Sequence, residues 1–275
     1  MNDSLKFIYN QQKELSTYSG ISALLGWDQM TYMPKLGIDK RSQQNSLISR
    51  IMHEKIISNE FWNHIKKLVK PNNFDKLQIK DQIVVKRLYK DVQKSRKIPS
   101  KFVEELSKTT TISYNAWEES RNKNNYKIFS PHLEKIIDFK KKYCDIINIP
   151  GHIYNSLLDD YEEGMTVKVL KEEFNHLEIK LTQILNKIKK CEKYKNQNNL
   201  NIEINSKKQQ KICDFIISKM GLPRDKSRID ISTHPFTTSI GNNDVRITTN
   251  IKNTKPFFSL FSTVHESGHA LYELG

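Results

Sequence analysis

The segment HESGH at residues 265–269 carries the most specific chemistry in this 275-residue chain. His265 and His269 are four residues apart, so on a helix their β-carbons lie about 5–6 Å apart on one face and both imidazoles can bind one Zn²⁺ or Co²⁺. Glu266 follows the first histidine, and its carboxylate can take a proton from a metal-bound water and pass it to a leaving amine. The pattern predicts a zinc site for peptide hydrolysis, with Glu266 as general base.

Spacing alone leaves a second interpretation open for this pair. Two histidines four residues apart also occur on helices where one is buried, the other is solvated and neither binds a metal. The intervening Glu266 and the small residue Gly268 favour the metal site.

The residues before the motif predict the helix that carries it. Pro256 suits a first helical turn, where a backbone N–H has no intrahelical partner. Leu260, Phe261 and Val264 recur at the spacing of a core-facing helical stripe. Gly275 is placed to cap the far end.

A catalytic zinc site needs a third protein ligand, and the spacing of residues supplies none. Glu273 lies eight residues past His265, roughly 12 Å along a helix axis, which is too far to share the metal with both histidines. We expect the remaining histidines to be surface or capping residues: His53, His64, His132, His152, His176 and His234.

The net charge of +14 raises the question of an anionic partner. The densest lysine patches, residues 140–142 and 187–195, lie in predicted amphipathic helices and lack interleaved aromatic residues that stack on bases. We therefore predict neither nucleic-acid binding nor, because no run of about 18 apolar residues occurs, a membrane span. The first residues lack a basic and apolar export signal, which predicts a cytoplasmic protein.

Three cysteines at wide spacings argue against a disulfide framework. Cys144, Cys191 and Cys213 also form no C-x-x-C metal signature. We expect all three to be buried, inert thiols.

Helical periodicity dominates the chain, and the fold class predicted is mainly α, a helical zinc-peptidase architecture with a small antiparallel β-sheet beside the zinc helix. We predict one helical region over residues 1–275, with a flexible connection possible at 193–201. The predicted helices span residues 1–19, 38–70 (as one or two helices), 75–95 and 99–122. A further helix begins at 130, and Thr166 caps a long amphipathic helix. Residues 26–37 are predicted to be a turn-rich connection.

The predicted strands all precede the zinc helix, at 229–233, 236–240 and 245–250, with a hairpin turn at 241–243. A strand beside the helix can bind an extended peptide over the metal, or it can only brace the helix; the sequence leaves both open. Arg246 can pair with Asp244 or with a substrate carboxylate. The aromatic residues at 26–34 are expected to pack a loop onto the core.

Several segments resemble the carboxypeptidase Taq family of metallocarboxypeptidases. They are 26–34 (GWDQMTYMP), 116–121 (AWEESR), 129–134 (FSPHLE) and 154–166 (YNSLLDDYEEGMT). Two motifs then precede HESGH in the family's order: H-P-F at 234–236 and D-x-R-x-T at 244–248. On this resemblance His234 and Arg246 become candidate substrate-binding residues.

The resemblance implies a zinc-dependent carboxypeptidase that removes residues from peptides with a free C-terminus and can form homodimers. It also implies a glutamate as third ligand on a following helix, then arginine and histidine motifs that hold the substrate carboxylate; none lies within these 275 residues. Two hypotheses follow. The chain is the N-terminal part of a metallocarboxypeptidase whose C-terminal half can be a separate chain, or it is a non-catalytic remnant or interaction subunit.

Overall fold

The computed structural model describes residues 2–195 and 202–275, and helices dominate them. The helices are α1 (Asp3–Thr31), α2 (Ile38–Ile57), α3 (Asn59–Leu68), α4 (Pro71–Phe74), α5 (Ile79–Ser95), α6 (Ser100–Asn122), α7 (Ser130–Ile147), α8 (Asn155–Leu158), α9 (Val167–Lys190), α10 (Glu192–Lys195), α11 (Ser206–Met220) and α12 (Pro256–Leu274). The strands are β1 (Ser227–Ile231), β2 (Thr237–Gly241) and β3 (Asp244–Thr249). The mainly α prediction is confirmed.

Local sequence signals placed several helix ends correctly. Helix α6 ends at Asn122, and the predicted 38–70 segment divides into α2 and α3 at Ser58, whose hydroxyl accepts a hydrogen bond from the Phe61 N–H at 3.2 Å. Thr166 caps α9, because its hydroxyl accepts from the Val169 N–H at 3.3 Å.

The predicted connection at 26–37 is wrong in its first half, because α1 continues through Gly26 to Thr31. One helical glycine costs only about 1 kcal/mol relative to alanine. Burial of the following Trp27 side chain, which is 7% exposed, outweighs that cost. The chain leaves the helix at Tyr32, two residues before Pro34.

The sheet is mixed rather than antiparallel, which corrects the predicted fold class in that detail. The strand order is β1-β3-β2; β2 and β3 form the expected antiparallel hairpin, whereas β1 pairs with β3 in parallel. The two-residue turn at 242–243 dictates the direction of β2 against β3. No such turn joins β1 to β3. The alternation of apolar and polar residues in β1 is the same for either direction, so it could not predict the parallel pairing.

The described chain divides into two compact units, residues 1–136 with 202–275, and residues 137–201. The first unit has a helical core and a second apolar cluster between the sheet, α11 and α12. The helical core contains Leu5, Ile8, Phe61, Ile65, Leu68, Val85 and Val92. The second cluster contains Ile217, Leu222, Val245, Ile247 and Ala270.

In the second unit, the buried Asn155 side chain links two segments. It donates to the Pro150 carbonyl at 3.0 Å and accepts from the Val167 N–H at 2.9 Å, at the start of α9. The prediction of one region over 1–275 stays a prediction, and residues 196–201 of the predicted flexible connection lie outside the described residues.

Two of the three cysteines are buried as predicted. Burial raises the pKa of the Cys144 and Cys213 thiols, which disfavours their reactive thiolate forms. Cys191 is exposed at the end of α9, so that prediction is wrong for this residue. None of the helices in the described residues is long and apolar enough to cross a membrane.

Gly20 brings α1 against strand β2. A β-carbon built at Gly20 would clash with the Ile240 carbonyl oxygen, whereas one built at Gly26 of the same helix would meet nothing within 4 Å. We expect Gly20→Ala to lower the free energy of unfolding by about 1–3 kcal/mol through overpacking. Gly26→Ala is expected to raise it by roughly 0.5–1 kcal/mol. Urea denaturation of both variants measures the difference, and a stabilising Gly20→Ala would contradict the close approach.

Candidate metal centre

Helix α12 has the predicted ends. Pro256 occupies its first turn, and Gly275 follows its last residue with φ +94°, its N–H donating to the Tyr272 carbonyl at 3.3 Å. The left-handed conformation at Gly275 is one that glycine adopts without steric cost.

The face that α12 buries is not the predicted one. Phe261 is 66% exposed and Val264 40% exposed, while Leu260 is only partly buried. The buried face instead consists of small or polar residues: Pro256, Ser259, Thr263, Glu266, Ser267 and Ala270. Small side chains let α12 pack closely on β3 and α11. Hydrogen bonds satisfy most of the polar ones, such as that from Ser259 to the Gln209 side chain at 2.7 Å, whereas the buried Ser267 hydroxyl has no partner among the described residues.

His265 and His269 converge on one point. Both are exposed, their rings stand edge-on at a centroid distance of 4.7 Å, and their Nε2 atoms lie 3.1 Å apart. Two nitrogens that share a tetrahedral Zn²⁺ at ~2.0–2.1 Å each are roughly 3.3 Å apart. The pair therefore fits two positions of one metal ion after a shift of a few tenths of an ångström.

Glu266 is buried, at 7% exposed, although the histidines on either side of it in the motif are exposed. Its Oε2 is 2.7 Å from the Thr237 hydroxyl, which also lies 3.0 Å from the Glu266 main-chain oxygen. Sequence reasoning missed Thr237, because the contact joins β2 to α12 across 29 residues and a threonine at a strand start has no distinctive spacing.

A groove runs between β2 and α12. Its volume is ≈ 470 Å³, and its lining residues are Phe236, Thr237, Thr238, Ser239, Glu266, His269 and Glu273. The groove thus brings the general-base candidate and one ligand candidate next to an edge strand.

Main-chain groups of β2 are available along this groove. The Thr248 N–H donates to the Phe236 carbonyl at 2.8 Å, so the alternation of an antiparallel ladder turns the main-chain groups of Thr237 and Ser239 away from β3. In the described part of the chain β2 pairs only with β3.

Arg246 forms the structural pair that the sequence offered as one alternative. Its guanidinium donates two hydrogen bonds to Asp244, at 2.9 and 2.7 Å, and its Cζ lies 4.2 Å from the centre of the Trp27 ring. The hydrogen bond from Arg246 holds the pKa of Asp244 below its ordinary value. Because neighbouring strand residues face opposite sides of a sheet, Arg246 faces away from the α12 side that holds Ile247.

His234 is exposed, and its Nδ1 is 2.6 Å from the Pro235 carbonyl oxygen. It does not line the groove that contains Glu266 and His269. Substrate binding by His234 and Arg246 stays a prediction. Of the aromatic residues at 26–34, Trp27 is buried as expected, whereas Tyr32 is 60% exposed, so the expectation is wrong for Tyr32.

No third metal ligand joins the pair within residues 2–195 and 202–275, where three or more His, Cys, Asp or Glu side chains nowhere form a metal-binding group. Glu273 lines the groove but does not complete such a group. Among the other histidines, His53 is buried, and its Nε2 lies 2.8 Å from the Ile98 carbonyl oxygen. The His64 ring stacks on Phe7.

The family profile described as carboxypeptidase Taq (M32) metallopeptidase matches residues 7–275. Thermostable carboxypeptidase 1 of Pyrococcus furiosus is 34% identical over 99% of this chain and 54% of its own length. Carboxypeptidase 1 of Bacillus subtilis is 29% identical over 98% of this chain and 53% of its own length. The chain thus spans about half the length of the curated relatives it matches.

Solved structures agree with these matches. The BsuCP crystal structure has a TM-score of 0.94 at 29% identity, covering 99% of this chain and 55% of that chain. A Pyrococcus furiosus carboxypeptidase structure has a TM-score of 0.84 at 34% identity, covering 100% and 55%. Metallocarboxypeptidase 1 of Trypanosoma cruzi has a TM-score of 0.83 at 27% identity, covering 98% and 54%.

Proposed function

Because this chain belongs to the carboxypeptidase Taq (M32) metallopeptidase family, we propose that it supplies part of the active site of a zinc-dependent carboxypeptidase, which releases C-terminal amino acids from peptides. One observation carries the proposal: the Nε2 atoms of His265 and His269 converge to 3.1 Å next to the buried Glu266. The metal is a family property, and its identity as zinc rests on two imidazole ligands, which Co²⁺ also accepts.

The residues of α12 have separate roles in this proposal. His265 and His269 would hold the metal, and a bound Zn²⁺ would supply Lewis acidity for the activation of water and of the peptide carbonyl. Glu266 accepts a proton at its carboxylate and later donates it to the leaving amine. Burial of Glu266 limits competition from bulk solvent for that proton.

The edge of β2 is the proposed peptide-binding surface. The outward main-chain groups of Thr237 and Ser239 can pair with an extended peptide, as an added strand does. A peptide laid there runs along the groove that Glu266 and His269 line, so its scissile amide comes close to the metal ligands.

We propose that the third ligand and the site for the substrate carboxylate come from polypeptide other than residues 1–275. The relatives are about twice as long, and α12 exposes apolar residues on the helix that bears the ligands: Phe257, Phe258, Phe261, Val264 and Tyr272. Several large apolar side chains exposed on one helix are typical of a protein contact. It favours, as a second function, a subunit that contributes two ligands and the base to a site completed by another chain.

The test compares a peptide bearing a free C-terminal carboxylate with the same peptide amidated at that end. Zinc-loaded protein is assayed alone and mixed with the C-terminal half of the Bacillus subtilis relative. We expect stepwise release from the free terminus and at least ~10²-fold slower release from the amide, because a site built for a charged group rejects an analogue lacking it. Equal cleavage of both peptides would contradict the carboxypeptidase assignment, and inactivity in both preparations would favour a non-catalytic subunit.

A further inference from the structure

The hydroxyl of Thr237 makes a hydrogen bond whose acceptor can be assigned. A threonine hydroxyl has one proton, and two oxygens of Glu266 lie within reach, the carboxylate Oε2 at 2.7 Å and the main-chain oxygen at 3.0 Å. A carboxylate is the stronger acceptor and it is also the nearer one. The proton therefore goes to Oε2.

This bond leaves the two carboxylate oxygens of Glu266 unequal. Oε2 is occupied by Thr237, whereas Oε1 receives no hydrogen bond from the part of the protein that the structure describes. Glu266 is 7% exposed, so its carboxylate has little opportunity to turn towards solvent. One oxygen is thus fixed to β2 while the other stays available to accept a proton.

A carboxylate beside a metal can take one of two roles. Glu266 is the neighbour of the proposed ligand His265, and carboxylate oxygens bind Zn²⁺ readily at about 2.0–2.2 Å. A carboxylate that coordinated the metal through its free oxygen would no longer be available as a base. The Thr237 bond opposes movement of the carboxylate towards the metal, because it holds Oε2 against β2.

We propose that Thr237 is a positioning residue that holds the Glu266 carboxylate as a base and keeps it from becoming a metal ligand. This inference rests on the proposed function, because it presumes a metal at His265 and His269. The competing explanation is that Thr237 only fastens α12 to the sheet.

Thr249 offers a matched control for that competing explanation. It is buried on β3, and its hydroxyl lies 3.3 Å from the Ser259 carbonyl oxygen and 2.9 Å from the Ser262 hydroxyl. Thr249→Val therefore breaks another bond between the sheet and α12 without a contact to Glu266. The same threonine-to-valine change is made at both positions.

The experiment uses Co²⁺ as the metal, titrated into the full 275-residue chain, because the visible absorption of Co²⁺ changes with its ligands. We expect Thr237→Val to shift the absorption bands and to tighten Co²⁺ binding by about tenfold, as a carboxylate joins the metal. Thr237→Ser, which keeps the hydroxyl, and Thr249→Val should both match the unmodified protein. Adding Glu266→Gln to Thr237→Val should abolish the shift.

Several outcomes would overturn the positioning role. They are an unchanged spectrum in Thr237→Val, a shift that persists with Glu266→Gln, or the same shift in Thr249→Val. Thr237→Ala repeats the comparison if valine disturbs folding, which circular dichroism reports. Failure of the unmodified chain to bind Co²⁺, or binding that is insensitive to His269→Ala, would instead refute the metal site and with it the proposed function.

Discussion

Replacement of Glu266 by glutamine is expected to leave the metal bound while turnover falls by ~10²–10⁴-fold. Glutamine nearly matches the shape of glutamate and can still accept a hydrogen bond from Thr237 through its amide oxygen. It cannot take up a proton at neutral pH. Metal and peptide binding should therefore survive a change that removes the base.

The measurement is release of the terminal residue by the active, metal-loaded form, with metal content determined in the same preparations. His265→Ala serves as the contrasting variant, because it should lose metal first and activity as a consequence. Glu266→Asp keeps a carboxylate on a side chain one methylene shorter. Its rate of release should lie between those of the unmodified protein and Glu266→Gln. Unchanged release in Glu266→Gln would contradict the role of Glu266 as general base.

The sequence predicted the metal-ligand pair and its helix because that information is local. Spacing of four residues places His265 and His269 on one face, and Pro256 and Gly275 mark ends whose backbone chemistry depends on one residue each. Helix ends elsewhere followed from the same kind of signal, as at Thr166.

The buried face of α12 was mispredicted because hydropathy does not specify which surface a helix contacts. Phe261 and Val264 suggested a core, yet the side that meets β3 and α11 carries Ser259, Thr263 and Ser267. Those residues are short enough for close packing, and partners distant in sequence satisfy Ser259 and Thr263. A pattern within the helix cannot report partners that lie outside it.

Two further differences have the same origin. The continuation of α1 past Gly26 depends on burial of Trp27 beneath Arg246, a residue more than two hundred positions away. The parallel direction of β1 depends on its pairing with β3 rather than on its own alternation. The contact of Thr237 with Glu266 likewise exists only once β2 and α12 have packed together.

Metal affinity provides the second large expected effect. We expect His269→Ala to weaken Zn²⁺ binding by at least ~10²-fold, because loss of an outer-shell partner alone commonly costs 10–100-fold and this change removes a ligand. His176→Ala is the matched control, since it removes an exposed imidazole from a different helix, α9. Calorimetric titration of the three proteins gives the affinities directly.

The unmodified 275-residue chain should itself bind Zn²⁺ weakly and release it to a mild chelator. Two imidazoles supply half of a tetrahedral coordination sphere, and the described residues provide no group of three ligands. The observed 3.1 Å between Nε2 atoms means that little rearrangement opposes binding, so weak affinity would reflect the missing ligand rather than a distorted pair. Tight stoichiometric binding that resists chelation and disappears in His269→Ala would show that a third ligand exists within the chain, and the proposed contribution from other polypeptide would then be wrong.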